Sequence, residues 1–468
     1  MAKHLTKESL SRQVENESKA LDSSAGLPFR ELISEQEILA ALQADGREFR
    51  DRIYNISVTL WAFLSQVIAR KDSSCSDAVS RVIVDRVAQK KKRCSMRSGS
   101  YCVARTRLPM ELVTTLTRES GRELDRQAKP EWLWKNRHVK IVDGSTATMA
   151  DTAENQREYP QSKNQKVGLG FPILRFVVVL SLSVGTVLEC AIGSCRGKRT
   201  GEQSLFRQTW GAFESGDVVL ADRLYDCYRD IALLKADGVD SVFGKKQSRH
   251  TDFRQGRRLG HDDHVVVWKK PKYDATRYES KEQWESLPDE MEIREVRIAV
   301  SRKGYRTRTV VIVTTLVDGD LYTAKELTDL FAARWHCELD LRSIKQSLGA
   351  GHLQCKTSEM VRKELWVRLL AYNLIRVRMA QASDLHHVMP RDLSFTAARN
   401  HIHNFADLLN NSSGAEHRRI EAELLETIAS SRIKKRPGRK EPRKVKKRVQ
   451  KYSFLSEPRA KARKRLAA

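Results

Sequence analysis

The run from Phe176 to Gly193 constrains the fold most, because it is mostly apolar and carries only Glu189 as a charge. Such a run is either a membrane span or strand buried on both faces. Its richness in Val, its break at Ser183-Val184-Gly185-Thr186 and Arg175 at its entrance favour two strands joined by a turn. Phe171 to Leu182 and Thr186 to Ile192 are therefore predicted to form a buried β-hairpin. The rest follows from what must pair with it and cover it. Upstream, Val139 to Val142 reads as a short strand ending in Asp143; downstream, Gly201 to Phe213 reads as helix and Asp217 to Ala221 as a strand ending in Asp222. Tyr225 to Ala236 is again helical and Ser241 to Phe243 a short strand. Three antiparallel strands followed by alternating helix and strand predict a mixed α/β sheet with helices packed on it.

Around this centre the 468 residues divide into regions. Residues 1–33 are polar, lack a signal peptide's apolar core and are expected to be poorly ordered. Residues 34–130 carry helical periodicity, as in Val58, Trp61, Leu64, Val67 and Ile68, with Asp72 and Ser73 as capping-type residues before the next helix. Lys90, Lys91, Lys92, Arg93, Arg97, Arg105 and Arg107 cluster there, which predicts a helical DNA-binding domain. Residues 131–244 hold the first part of the α/β core, and 245–318 interrupt it with β-strands: His264 to Lys269, then Ile293 to Val300 and Arg306 to Leu316 joined at Arg302-Lys303-Gly304. Alternation of Val296, Ile298 and Val300 with Arg297 and Ala299 predicts one solvated face. The core resumes over 319–350, a helical region follows over 351–430, and 431–468 is a basic tail.

Charge narrows the partner. Lys and Arg exceed Asp and Glu by 85 to 59, a net +26, concentrated at the C-terminal end in IKKRPGRKEPRKVKKRVQ. That balance suits a polyanion, and nucleic acid above others. The eight cysteines form no Cys-x-x-Cys pair, as expected of reduced thiols in a cytosolic protein without a zinc site. His261, Asp262, Asp263 and His264 lie together before a strand, where a solvated turn is the favoured reading over a second metal site.

The chemistry concentrates in carboxylates. Thr323 and Glu326 make a capping box for a helix whose apolar period runs through Leu327, Leu330 and Leu341. At about 100° per residue from Arg334, Glu338 falls at roughly 40°, Lys345 at roughly 20° and Phe331 at roughly 60°, all on that apolar face. Charges there are expected to be largely desolvated and to need ionic partners. Asp143 and Asp222 at strand ends, with Glu338 on a helix against the same sheet, suit two Mg²⁺ ions about 4 Å apart, set for in-line phosphoryl displacement.

Phe331, Arg334, Glu338 and Lys345 resemble the Y-x-x-R-x-x-x-E-x-x-x-x-x-x-K signature of bacterial DDE transposases of the "insertion sequence four" family. The resemblance extends to IVDGST around Asp143 and DVVLADRLYDCY around Asp222, in order from about Arg47 to the C-terminus. It implies an RNase H-like catalytic domain interrupted by a β insertion, with Mg²⁺-dependent cutting of transposon ends and joining to target DNA. Mn²⁺ is expected to substitute. By position, Asp143, Asp222 and Glu338 would be the catalytic metal ligands, and Arg223, Arg334 and Lys345 would contact DNA phosphates. Trp335 would pack against DNA. Trp284, with Trp268 second, would be the insertion's base-stacking residue, or simply cap the insertion's small core. The chain departs from the signature at Phe331, where Tyr is expected. The resemblance further implies a homodimer pairing two inverted-repeat ends, no membrane partner, and action in the bacterial cytoplasm at the nucleoid. Two alternatives remain: a transposon-derived DNA-binding protein without catalysis, and an RNase H-like nuclease without strand transfer.

Overall fold

The computed structural model describes residues 29–30, 32–43, 52–69, 74–274, 280–300, 308–410, 412–433 and 453–467. The segments before the sheet are helical as expected: α1 (Glu35–Gln43), α2 (Ile56–Ile68), α3 (Cys75–Ala88), α4 (Gly99–Arg107) and α5 (Met110–Arg126). Helix α3 is capped by Ser74, whose hydroxyl accepts from the Asp77 N–H while Asp77 accepts from Ser74; Asp72 and Ser73 lie outside the described residues.

Strand β1 (Val139–Met149) is followed by α6 (Ala153–Glu158) and the expected hairpin of β2 (Ile173–Ser181) and β3 (Val187–Ser194). Gly185 turns that hairpin at φ +82°, a conformation a Cβ would strain. Val177 to Leu180 are fully buried, so the most apolar run is interior sheet. No helix among the described residues is long and apolar enough to cross a membrane. Next come α7 (Glu202–Arg207), β4 (Val218–Ala221), α8 (Tyr228–Ala236) and β5 (Asp240–Gly244). β1, β2 and β3 run antiparallel in sequence, whereas β4 lies parallel to β1 and β5 parallel to β4. The order β3-β2-β1-β4-β5 is the expected RNase H-like mixed sheet.

The insertion forms β6 (Arg257–Gly260), β7 (Asp263–Lys269), α9 (Lys281–Glu285), β8 (Glu290–Val300) and β9 (Arg308–Thr314). The sequence suggested an excursion from the core, yet β9 pairs antiparallel with β5 and carries the same sheet onward through β8, β7 and β6. Ile293 and Val313 join one apolar cluster with Val142, Phe206, Tyr225 and Phe243. The expected solvated face is only partial. Arg297 is exposed, but Glu295 on the same face is buried and paired with Lys245; Arg294, on the face of Val296 and Ile298, is buried and paired with Asp263. Arg302-Lys303-Gly304 lies outside the described residues.

After the insertion come α10 (Ala324–Ala333), α11 (Trp335–Arg342), a wide π-type turn at Ser343–Ser347 and β10 (His352–Leu353). Then follow α12 (Ser358–Leu385), α13 (Phe395–Asn410), α14 (Gly414–Ser430) and α15 (Arg459–Ala467). Half of the basic tail, residues 434–452, is outside the described residues.

The chain divides into two compact units. One joins residues 1–124 with 343–350 and 362–433; the other holds 125–342, 351–361 and 434–468. In the first, the Lys363 ammonium donates to Thr106 O at 2.7 Å and Asn373 Nδ2 donates to Thr117 O at 2.8 Å. The helical stretches expected as separate N- and C-terminal regions are thus parts of one unit. The sheet, with Asp143, Asp222 and Glu338, is in the second.

Candidate active site

Parallel pairing of β1 with β4 places Val139 beside Val218 and Ile141 beside Leu220. Carried two residues further, this register would set Asp143 opposite Asp222, and the Asp222 charge does act on Asp143. β1 does not end at Asp143 as expected but runs on to Met149; it is β4 that stops at Ala221. On that side β1 next meets a strand only at Thr148, where β10 joins it. Both carboxylates therefore lie where the sheet opens between β4 and β10. Asp143 accepts from the Gly144 N–H at 2.9 Å, and Asp222 from the Leu224 N–H at 2.7 Å.

Burial pushes the Asp143 carboxyl up to about 6. The Gly144 N–H and the Arg334 guanidinium pull it down, while Asp222 and Glu202 push it up. Burial outweighs the Gly144 N–H and the Arg334 guanidinium, and the two neighbouring acids add to it. Tyr225, fully buried, adds a hydroxyl with no hydrogen-bond partner. Burial raises its phenol, and the Glu202, Asp143 and Asp222 charges raise it further.

The helix expected around Glu338 begins as predicted, with Thr323 and Glu326 forming both halves of the capping box. It is not continuous, however. α10 closes at Arg334, α11 restarts at Trp335, and the π-type turn carries Lys345. Arg334 keeps helical backbone angles, and its side chain lies near both Phe331 and Glu338, whereas Lys345 follows on the π-type turn. Leu327, Leu330 and Leu341 are buried as expected. Glu338 is less desolvated than the apolar stripe implied: its side chain is 38% exposed, beside an Arg334 side chain 23% exposed at 3.9 Å. α11 packs against β1, which brings the Glu338 helix to the strand of Asp143. Arg334 holds its guanidinium 5.8 Å from the Phe331 ring, and its buried Nε makes no hydrogen bond.

Of the other expected residues, Arg223 is exposed just beyond β4, its backbone against Gly244 of β5. Trp335 is exposed at the start of α11. Lys345 belongs to the other compact unit. Trp284 and Trp268 both pack against the apolar cluster. The Trp284 indole donates to Pro271 O at 3.1 Å, with Lys270 over its ring at 4.6 Å. Trp268 donates to Glu295 at 3.1 Å under the Arg249 guanidinium at 4.0 Å. Near them, Asp262 pairs with Arg297 at 2.8 Å and Asp263 with Arg294, which accounts for these acids without a metal.

Among the described residues no three His, Cys, Asp or Glu side chains form a ready-made metal cage. The donor set is nevertheless of the right kind, since hard oxygen ligands suit Mg²⁺. A divalent cation would also offset the burial of the Asp143 charge and the smaller repulsion from Asp222 and Glu202. Glu202 and Tyr225 were not singled out from the sequence. The available signal was Gly144 directly after Asp143, a residue without a side chain at a place where another group approaches.

Residues 134–374, just over half of the chain, match the family described as transposase DDE domain. A curated relative, transposase InsG for insertion sequence element IS4 of Escherichia coli (strain K12), is 27% identical over 416 residues, which cover 86% of this chain and 88% of the relative. Among solved structures, a piggyBac transposase synaptic complex with hairpin DNA covers 88% of this chain and 85% of its own, at a TM-score of 0.43 and 8% identity.

Proposed function

The chain belongs to the transposase DDE domain family and is a DNA transposase of the IS4 type, and from that premise we propose that Asp143, Asp222 and Glu338 form its catalytic triad. The observation that supports the assignment is the register of β1 and β4, which, carried two residues on, brings Asp143 opposite Asp222, with the Asp222 and Arg334 charges acting on Asp143.

The three carboxylates would hold two Mg²⁺ ions, with Mn²⁺ able to replace them. When bound, such ions activate the attacking water or 3′-hydroxyl and stabilise the leaving oxygen. The chain's own residues bind and orient the DNA. Arg334, whose charge acts on Asp143, neutralises the phosphate at the cleaved bond, where a preorganised charge is worth most. Arg223, exposed beyond β4, and Lys345, on the turn after α11, contact neighbouring phosphates. Phe331 and Trp335 pack against the DNA at the same helix junction. Trp284 serves as the insertion's base-stacking residue, with Lys270 on one face of its ring. The protein acts as a homodimer on the inverted-repeat ends and target DNA, in the bacterial cytoplasm at the nucleoid, with the basic helical region of residues 34–130 as its DNA-binding part.

The test uses the full chain, Mg²⁺ and duplexes carrying the inverted-repeat ends. Asp143→Asn, Asp222→Asn and Glu338→Gln should each abolish cleavage while gel-shift binding of the ends persists. Cleavage that survives them sinks the assignment. Phe331, in place of the signature's Tyr, favours a second reading, a DNA-binding protein without catalysis. Under that reading the unaltered chain binds the ends and cuts nothing. A nuclease without strand transfer would cut scrambled duplexes equally well.

A further inference from the structure

Glu202 is the first residue of α7, and its carboxylate reaches back to β1. A Cβ built on Gly144 would lie 2.6 Å from Glu202 Cδ, 2.7 Å from Oε2 and 2.9 Å from Cγ. No side chain fits at 144 while Glu202 holds this place. The residue after Asp143 is thus glycine where a carboxylate group needs its space. The partner that would explain Glu202 as an ordinary surface acid is Arg175, and that pair is loose. Arg175 Nε stands 3.7 Å from Glu202 Oε1 without hydrogen-bonding, and Arg175 Nη1 donates instead to Thr200 O at 3.0 Å. A second observation is independent of the acids themselves. The hydroxyl of Tyr225 is buried without a partner, and the Glu202, Asp143 and Asp222 carboxylates all act on it. A buried unpartnered hydroxyl costs about 1–3 kcal/mol, and the carboxylates gathered near it repel one another. A cation with ordered waters meets both needs, because it neutralises the acids and supplies hydrogen-bonding partners.

We propose that Glu202 is a fourth carboxylate of the divalent-metal site, binding the cation held by Asp143 and Asp222 directly or through one of its waters. The proposal rests on the reading of Asp143 and Asp222 as metal ligands. It adds a residue to the site from α7, an element that carries none of the triad. Glu202 would fix the coordination shell of the ion on the β1 side and leave the α11 side to Glu338.

Mn²⁺ binding to the chelator-treated full chain, followed by titration calorimetry and by the electron paramagnetic resonance of the free ion, tests this without DNA or turnover. Glu202→Gln preserves shape and removes only charge. It should weaken Mn²⁺ binding by about tenfold or more, in the range of altered supporting groups at metal sites. Gly144→Ala should do the same with every carboxylate intact, since its methyl takes the place of Glu202. Asp143→Asn should remove the binding. If Glu202→Gln and Gly144→Ala bind as the unaltered chain does while Asp143→Asn does not, Glu202 is only the partner of Arg175 and the proposal falls, with the triad reading left standing. If Asp143→Asn also binds normally, the reading beneath it falls as well. Metal-free thermal unfolding separates lost ligation from lost folding, and Glu202→Gln unfolding with unaltered cooperativity makes its metal affinity decisive.

Discussion

At the scale of single residues, position 331 and position 143 each set a measurable quantity. Phe331 keeps the ring expected at the head of the signature and lacks its hydroxyl. A hydrogen bond to a charged acceptor contributes about 1.5–3 kcal/mol, so Phe331→Tyr should raise cleavage of transposon ends by about tenfold or more. Equal rates for the two proteins in a single-turnover assay would show that no phosphate waits there. Asp143 has the opposite problem, a carboxyl whose proton is held too tightly. Its value in the folded chain, about 6, lies above the ordinary 3.8. The folded state therefore keeps the proton between these values while the unfolded state has lost it, and stability falls as pH rises through that window. Asp143→Asn removes this cost. Without metal it should be more stable than the parent above pH about 6, by on the order of 1–3 kcal/mol, and no different below about 4. Denaturant unfolding at the two pH values checks the sign.

At the scale of elements, the β insertion is tied to the core by buried charge as well as by strand pairing. Arg294 of β8 is 1% exposed, donates to both oxygens of Asp263 on β7, and reaches Tyr322 O just before α10 at 2.6 Å. Removing one partner of such a pair leaves a buried charge without compensation. Asp263→Ala should cost about 3–5 kcal/mol in denaturant unfolding. A loss under 1 kcal/mol would mean that water reaches Arg294. The pairing of β5 with β9 also explains how 245–318 can interrupt the core without splitting it. The chain leaves after β5 and returns through β9, which lies beside β5 in the same sheet. The connection therefore closes on itself at one sheet edge.

At the scale of the molecule, the helical unit is assembled from both ends of the sequence. Thr106 and Thr117 carbonyls receive Lys363 and Asn373, and Arg118 sits over the Trp366 ring at 5.4 Å. Lys363 is 1% exposed and Asn373 fully buried. A fragment of residues 29–124 alone would expose the surfaces those residues cover. It should show no cooperative thermal transition by near-ultraviolet circular dichroism, whereas the full chain should. A cooperative transition for the fragment would make the N-terminal helices a self-sufficient domain.

Alternation and turn chemistry in the sequence determined the strands of the sheet, the Gly185 hairpin and the capping box at Thr323, because each depends on neighbours within a few residues; the three acids are proposed from their joint placement and the resemblance to a known signature. Phe176 to Gly193 could only be buried, and Gly185 could only turn it. Tertiary structure decided what depends on residues far apart. It made β1 run past Asp143, since β2 pairs it along nearly its whole length. It closed one helix at Arg334, widened the next into a turn after Arg342, and left the Glu338 side chain 38% exposed where the apolar period alone implied burial. It also brought Glu202 against Gly144, 58 residues away in the chain and adjacent only once β3 and α7 have folded back over β1. No local pattern records such an approach, because periodicity describes one element at a time and the contact belongs to two.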